Sequence, residues 1–294
     1  MNTQKTTYRP IVIGGGPAGI TTAIQLKRYR LEPLVLEMRE IGGLLRNANL
    51  VENYPGFPSG VQGKKLIGLM KKQAERLGVE VKREEVVGVR MVDETFLIKT
   101  KNKEHKAQYL VVASGTKSRP LPDMISPAAR SRVFTEVWPL SGVAGKQIAV
   151  IGAGDAAFDY SLNLSKKRNI VTILNRGETV KCLRLLFERA EQDPHIRYRA
   201  GVSVRQITVN ETANRLEVRC EAETIEADYV LFAIGRVPNL DFLSDEVRRR
   251  EKELVDSGRL YFVGDVKNES FRQVAIATGD GLRAAMQIYS RISK

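Results

Sequence analysis

The chain has 294 residues, 43% hydrophobic and 28% charged, enough for about two globular domains and inconsistent with a mostly disordered chain. No apolar run reaches membrane-spanning length and the start, Met1 to Pro10, lacks the apolar core of a secretory signal; the two cysteines, Cys182 and Cys220, are too few for a disulfide framework, and together these features indicate a cytoplasmic protein with no membrane association. The net charge of +13 favours acidic partners, yet the basic residues are scattered through Lys64-Lys65, Lys71-Lys72, Lys82-Arg83, Lys166 to Arg168 and Arg248 to Arg250, and neither a nucleic-acid pattern nor a metal-ligating cluster is present.

The first predicted element is a strand at Ile11 to Ile13, which opens the run IVIGGGPAG at residues 11 to 19. A helix follows, with Ile20, Ala23, Ile24 and Leu26 on one face, and then a short apolar strand, Pro33 to Leu36. Gly115 to Asp123 holds two prolines and no periodicity, and reads as a linker. The pattern then repeats. IAVIGAGDAA at 148 to 157 is again a strand and a glycine turn, leading into a helix through Ala156, Ala157, Tyr160, Leu162 and Leu164 and a strand at Ile170 to Leu174. Leu216 to Cys220 alternates and predicts a further strand. Ile234 to Leu240, with Gly235, Pro238 and Asn239, predicts a second linker, and the last helix runs through Leu282 and Met286.

Strand, helix and strand at this length make a parallel crossover unit. Gly14 to Glu37 and Gly152 to Asn175 both span 23 positions, and in a dinucleotide fold the residue at that offset meets the adenosine ribose. Two glycine turns in matched register are a far stronger signal than one. Gly14 permits a tight turn, Gly16 lets the backbone approach a pyrophosphate, and Gly19 permits close helix–strand packing; Gly152, Gly154 and Ala157 repeat these roles. Glu37 suits an unphosphorylated ribose such as that of FAD. Arg176, after Asn175, suits a 2′-phosphate and leans the second site towards NADPH over NADH, while Glu178 pulls mildly the other way.

On these residues the sequence resembles the low-molecular-weight thioredoxin reductase group of flavoproteins. The matching segments are IGGGPAG at 13 to 19, ENYPGFP at 52 to 58, ASG at 113 to 115, the second glycine motif at 152 to 157, and VGDV followed by RQVAIATGDG within 263 to 281. The resemblance implies an α/β fold of two Rossmann-like domains. The FAD domain is discontinuous, formed by residues 1–118 and 239–294, with an NAD(P)-binding domain inserted at 119–238. It implies FAD contacts at Gly14, Gly16, Pro17, Ala18, Gly19, Glu37, Gly43, Leu44, Asn53, Ala113, Gly115, Gly264, Asp265, Arg272, Gln273 and Val274. It implies NAD(P) contacts at Gly152, Gly154, Asp155, Ala156, Ala157, Asn175, Arg176 and Gly235. A homodimer is also implied.

Beside a reduced basic cluster at Asn175-Arg176-Gly177, the main departure from that group is chemical. Its Cys-x-x-Cys pair falls on Glu136-Val137-Trp138-Pro139, where neither cysteine is present, and Leu140 stands where an acidic residue is expected. Thiol–disulfide exchange needs a thiolate, and Cys182 and Cys220 read as isolated thiols. No catalytic side chain is therefore expected, because hydride transfer to a flavin needs none. The stretch GAGDAAFDY at 152 to 160 is similar to thioredoxin-reductase-like ferredoxin–NADP reductases, which also lack the pair. The expected partner is an acidic electron carrier, a ferredoxin or flavodoxin, or a small acceptor. A disulfide reductase using external or unusual thiols, including one driven by reduced ferredoxin, and a non-enzymatic flavin-binding module are the alternatives.

Overall fold

Alternation of buried side chains across short parallel strands organises the whole molecule. The computed structural model describes residues 9–293; the polar start read at residues 1–8 lies outside the described residues. In chain order the elements begin with β1 (Ile11–Ile13), α1 (Pro17–Arg28), β2 (Leu34–Glu37), α2 (Gly63–Arg76) and β3 (Glu80–Arg83). Next come β4 (Val86–Val92), β5 (Thr95–Thr100), β6 (Glu104–Ala107), β7 (Leu110–Val112), β8 (Thr116–Ser118) and β9 (Val133–Phe134). Then follow β10 (Gln147–Ile151), α3 (Asp155–Ser165), β11 (Ile170–Leu174), α4 (Arg184–Glu191), β12 (Ile196–Arg199), β13 (Val204–Asn210), β14 (Arg215–Cys220), β15 (Thr224–Ala227) and β16 (Tyr229–Phe232). The chain closes with β17 (Arg236–Pro238), α5 (Asp245–Arg249), α6 (Glu251–Asp256), β18 (Leu260–Phe262) and α7 (Val274–Ile292).

The fold is α/β, with two compact units. One comprises Met1–Arg46, Val51–Lys117 and Val237–Lys294; the other, inserted in it, comprises Asn47–Leu50 and Ser118–Arg236. In the first unit a parallel sheet has the order β18-β7-β1-β2-β3. Successive side chains of a strand point to opposite faces. Ile11, Ile13, Leu110, Val112 and Leu260 therefore enter a core shared with Phe96, Ile98 and Leu254. Val12, Val35, Val111 and Tyr261 enter the opposite one, against Ala23, Ala285 and Ile288 of α1 and α7. Those two helices meet closely: a Cβ on Gly281 would run into the Ala18 carbonyl oxygen. The antiparallel sheet β4-β5-β6 turns tightly at Asp93 and Glu94, both at positive φ (44° and 57°).

The second unit repeats the plan with the parallel order β12-β11-β10-β16-β9, beside an antiparallel sheet β13-β14-β15. Ile148, Val150, Val171, Ile173 and Leu231 pack with Phe158 and Leu164 of α3, while Ala149, Val230 and Phe232 face Leu216 and Val218. The alternating run at Leu216 to Cys220 is the central strand of that antiparallel sheet. The two stretches read as linkers hold the boundaries between the two units, and each also contains a short strand, β8 and β17, which pair with each other as a two-stranded sheet. Each is only three residues long and its partner lies far away in sequence, so local pattern carries no trace of the pairing. No helix among the described residues is long and apolar enough to cross a membrane.

Candidate nucleotide-binding sites

In the first unit β1 ends at Gly14, whose N–H bonds the Leu36 carbonyl at 2.9 Å. Gly14 has φ +105°, and a Cβ there would run into the Ala113 carbonyl; a Cβ on Gly19 would run into that of Gly14. Gly16, by contrast, faces open space, with nothing within 4 Å of where a Cβ would stand. It is also the N-cap of α1, with no side-chain cap and with Pro17 as the first helical residue. The first-turn N–H groups are thus left to an outside acceptor, at the positive end of the helix. Ala18 is buried behind them.

Glu37 closes this turn from the end of β2. Its carboxylate is buried and accepts the Gly15 N–H at 2.6 Å and the Arg39 N–H at 2.9 Å. Gly42 donates to the Gly15 carbonyl at 2.8 Å, which brings Gly43 and Leu44 beside the turn; the Cβ position of Gly43 is 3.4 Å from the Gly16 Cα. Arg46 fixes that loop by donating to the carbonyls of Gly43 and Glu40, both at 2.9 Å. No sequence signal pointed to Arg46, since these bonds go only to backbone.

Two distant segments complete the cradle. Ala113 is buried at the end of β7, and Gly115 (φ +62°) accepts the Asn239 N–H at 3.0 Å. After β18, Gly264 (φ +75°) lies against Ala18, with its Cβ position 2.8 Å from the Ala18 Cβ. Its N–H and Asn268 Nδ2 both donate to Asp280 Oδ2, at 3.1 and 2.7 Å, and Lys267 Nζ lies 3.1 Å from Oδ1. Burial pushes the Asp280 carboxyl up, but these donors outweigh it and hold it below its usual range. Asp265, half-buried, follows in the same turn. Val51 and Val61 close the ENYPGFP loop with two backbone hydrogen bonds of 2.8 and 2.9 Å, and Asn53 of that loop donates to Gln273 Oε1 at 2.8 Å. Gln273 caps α7 just before Val274, and Arg272 beside it holds a buried Nε without a partner.

These features fit FAD. A glycine turn with uncapped helical N–H groups suits a pyrophosphate. A buried carboxylate with spare lone pairs suits a ribose. Arg272 Nε is a donor awaiting an acceptor.

The second unit builds a related turn. Gly152 (φ +131°) bonds the Leu174 carbonyl at 3.0 Å, and a Cβ on it would run into the Ala233 carbonyl. Gly154 caps α3 without a side-chain hydrogen bond, Ala156 is exposed, and Ala157 is fully buried in the third motif position. Asp155 accepts the Leu183 N–H at 2.8 Å, and Lys181 bridges to Gly154 while donating to the Ala153 carbonyl at 3.0 Å. Asn175 is buried and serves its own loop: it accepts from Gly177 N–H at 3.1 Å and donates to the Thr179 carbonyl and the Tyr198 hydroxyl. Arg176 is exposed and has no ion-pair partner among the described residues. Lys181 is a second exposed cation near the turn, missed in the sequence because its bridge to Gly154 is a tertiary contact. Gly235 (φ +104°) accepts the Arg119 N–H at 3.2 Å.

Neither thiol in this unit is activated. Cys182 is pushed up to about 11 by burial and by the Asp155 carboxylate, against a backbone N–H of Phe187; Cys220 is raised by burial and then by Glu223, with Arg199 opposing. Both are free, and they contribute to different cores. A thiol that stays protonated is a poor nucleophile. Where a dithiol would align, Trp138–Leu140 forms a short helical turn, and Trp138 donates through Nε1 to Glu136 at 3.0 Å.

The family described as pyridine nucleotide-disulphide oxidoreductase matches residues 8–281. The chain is 30% identical over 295 residues to the thioredoxin reductase of Treponema pallidum (strain Nichols), covering 96% of each chain. A crystal structure of Lactococcus lactis thioredoxin reductase superimposes with a TM-score of 0.82 at 25% identity, over 97% of this chain and 99% of that one. The bacillithiol disulfide reductase of Bacillus cereus shares the fold, with a TM-score of 0.75 at 22% identity, over 97% of this chain and 99% of that one.

Proposed function

The chain belongs to the pyridine nucleotide-disulphide oxidoreductase family and is an FAD-dependent oxidoreductase, and within that family we propose that it carries electrons from NADPH to an outside acceptor without an internal dithiol. One observation carries this reading: the glycine turns of both units are intact, while the chain's only two cysteines, Cys182 and Cys220, are free, unactivated and part of different cores.

When bound, FAD takes a hydride from reduced nicotinamide and gives up electrons singly or in pairs. The protein supplies position and field. Gly14 to Gly19 and the α1 N-terminus hold the pyrophosphate, and Glu37 orients the ribose. Asp265 and the Asn53–Gln273 pair address the flavin end. Arg272 and the α7 N-terminus offer positive potential there. In the second unit the α3 N-terminus binds the nicotinamide nucleotide, and Arg176 with Lys181 recognises its 2′-phosphate.

The acceptor we favour is an acidic one-electron carrier protein of the ferredoxin or flavodoxin type, because the net charge of +13 would draw it in. Anaerobic mixing with NADPH should bleach the flavin, and added oxidised carrier should restore its colour. Bleaching by NADPH without carrier reoxidation would remove the proposed acceptor; no bleaching by NADPH or NADH would remove the reading as a whole. A second reading, reduction of a thioredoxin-like disulfide, is favoured by the activity named for the 30% identical relative. It predicts disulfide turnover that is lost when both cysteines become serine. We also propose a homodimer: Leu282, Met286 and Tyr289 are exposed along one face of α7, and light scattering of the holoprotein would show twice the chain mass.

A further inference from the structure

A second recess lies at the opposite end of the first unit's parallel sheet. Gly14 and Gly264 follow the carboxyl ends of β1 and β18. Tyr109 and Arg259 instead precede the amino ends of β7 and β18, where the Leu110 N–H bonds the Arg259 carbonyl at 2.9 Å. Between them and the last turns of α7 is a cavity of about 650 Å³, lined by Tyr109, Ser257, Arg259, Tyr261, Ser290 and Arg291 among others, and by no carboxylate side chain. That volume is in the range of small-molecule sites.

Two observations say what the cavity wants. Tyr261 is only 8% exposed, and its buried hydroxyl finds no acceptor for its proton. Burial pushes this phenol up, with Arg291 opposing and Tyr109 adding, so it remains a protonated donor at neutral pH. Arg291 is itself a donor only and cannot take that proton. A buried polar group left unmade costs stability unless something completes it.

The second observation is the seating of Arg291. Gly258, at φ +68°, leaves room for its guanidinium, which would collide with any Cβ there, and one of its nitrogens donates to the Asp256 carbonyl at 3.2 Å. Arg259, which also lines the cavity, is shared with Glu94 at 2.5 Å and lies over the Phe96 ring. The wall therefore presents a guanidinium held by backbone, a second guanidinium, and hydroxyl donors around one space.

We propose that this cavity is a binding site for a small phosphate-bearing anion, distinct from both dinucleotide sites, in which Arg291 and Tyr261 donate to the phosphate oxygens. Guanidinium geometry matches phosphate, and charge-assisted hydrogen bonds of this kind are the strong ones.

The test uses the FAD-loaded protein, titrated calorimetrically with inorganic phosphate or with glycerol 3-phosphate at constant ionic strength set by chloride. Saturable binding of either probe is expected; tighter binding of glycerol 3-phosphate would assign the site to a phosphomonoester, and tighter binding of inorganic phosphate to the free ion. Arg291→Gln and Tyr261→Phe should each weaken binding by about tenfold or more with the flavin spectrum unchanged. Arg176→Ser, in the other unit, should leave it unchanged. Without phosphate, Tyr261→Phe should melt at the same or a higher temperature, since it removes an unsatisfied hydroxyl, so lost binding cannot be blamed on misfolding. Unchanged binding in both cavity variants, or no binding of either probe at millimolar concentration, would overturn the proposal.

Discussion

Asn53 donates its side-chain N–H to Gln273 Oε1 at 2.8 Å, joining two residues 220 positions apart. The bond ties the ENYPGFP loop to the N-cap of α7, so both segments expected near the flavin are held in one local geometry. Replacing Asn53 by Ala or Gln273 by Ala should each weaken FAD retention modestly, and the double variant should lose less than the sum. A double-mutant cycle on FAD affinity is expected to return a coupling of about 1 kcal/mol. A coupling of zero would mean that the pair does not act as a unit.

The glycines of the first turn should separate fold from binding. A methyl at Gly19 meets the Gly14 carbonyl, whereas one at Gly16 meets nothing. Gly19→Ala should destabilise the apoprotein by about 3 kcal/mol or more. Gly16→Ala should leave the apoprotein's thermal midpoint unchanged yet sharply reduce FAD binding, because its methyl occupies the approach of the pyrophosphate. Thermal melts of apo and holo forms distinguish the two.

Nucleotide choice should rest on Arg176, with help from Lys181. Arg176→Ser is expected to raise KM for NADPH by about tenfold, as loss of one charge-assisted phosphate contact implies, with KM for NADH little changed. Lys181→Ala should act in the same direction and more weakly. Steady-state flavin reduction with both nucleotides is the measurement.

Stability should depend on pH through Asp159. Burial pushes this carboxyl up to about 6, with the Asp155 charge adding and the Asn49 N–H and Lys166 opposing. A raised carboxyl means the folded state holds the proton longer than the unfolded one. Its share of stability is present at low pH and lost as pH rises from about 4 to about 6. Asp159→Asn should therefore flatten that slope and stabilise the protein at neutral pH by on the order of 2 kcal/mol. Glu84 runs oppositely: burial raises it, but His105 and Lys103 outweigh this and hold it at about 2, so its contribution is full above about 4.5 and lost as pH falls towards 2. Melting curves of wild type and Asp159→Asn between pH 4 and 7 resolve the Asp159 effect.

Much of the fold was legible along the chain because its cause is local. A glycine that must take positive φ, as at Gly14 and Gly152, has no substitute, and the helix that follows must show one apolar face. The strand at Ile170 to Leu174 was bounded as found, since an apolar run between turns needs no distant partner to be recognised. What local pattern could not carry was pairing. The β8–β17 ribbon lies inside the two linkers, and it is not legible there because three-residue strands have too little sequence to declare themselves. Arg46 and Lys181 were missed because their bonds go to, or come from, backbone that any sequence could supply.

Residue order alone establishes two glycine turns in matched register and the absence of a Cys-x-x-Cys pair, because both depend on residue identity at known spacing. Which donors and acceptors remain unspent is a matter of three-dimensional contact. Asn175 satisfies its own loop, Asn53 is joined to Gln273, and Tyr261 holds a hydroxyl proton that no acceptor takes. A hydrogen bond depends on position to within tenths of an ångström and on what else competes for the same atom, and neither is written in the order of residues.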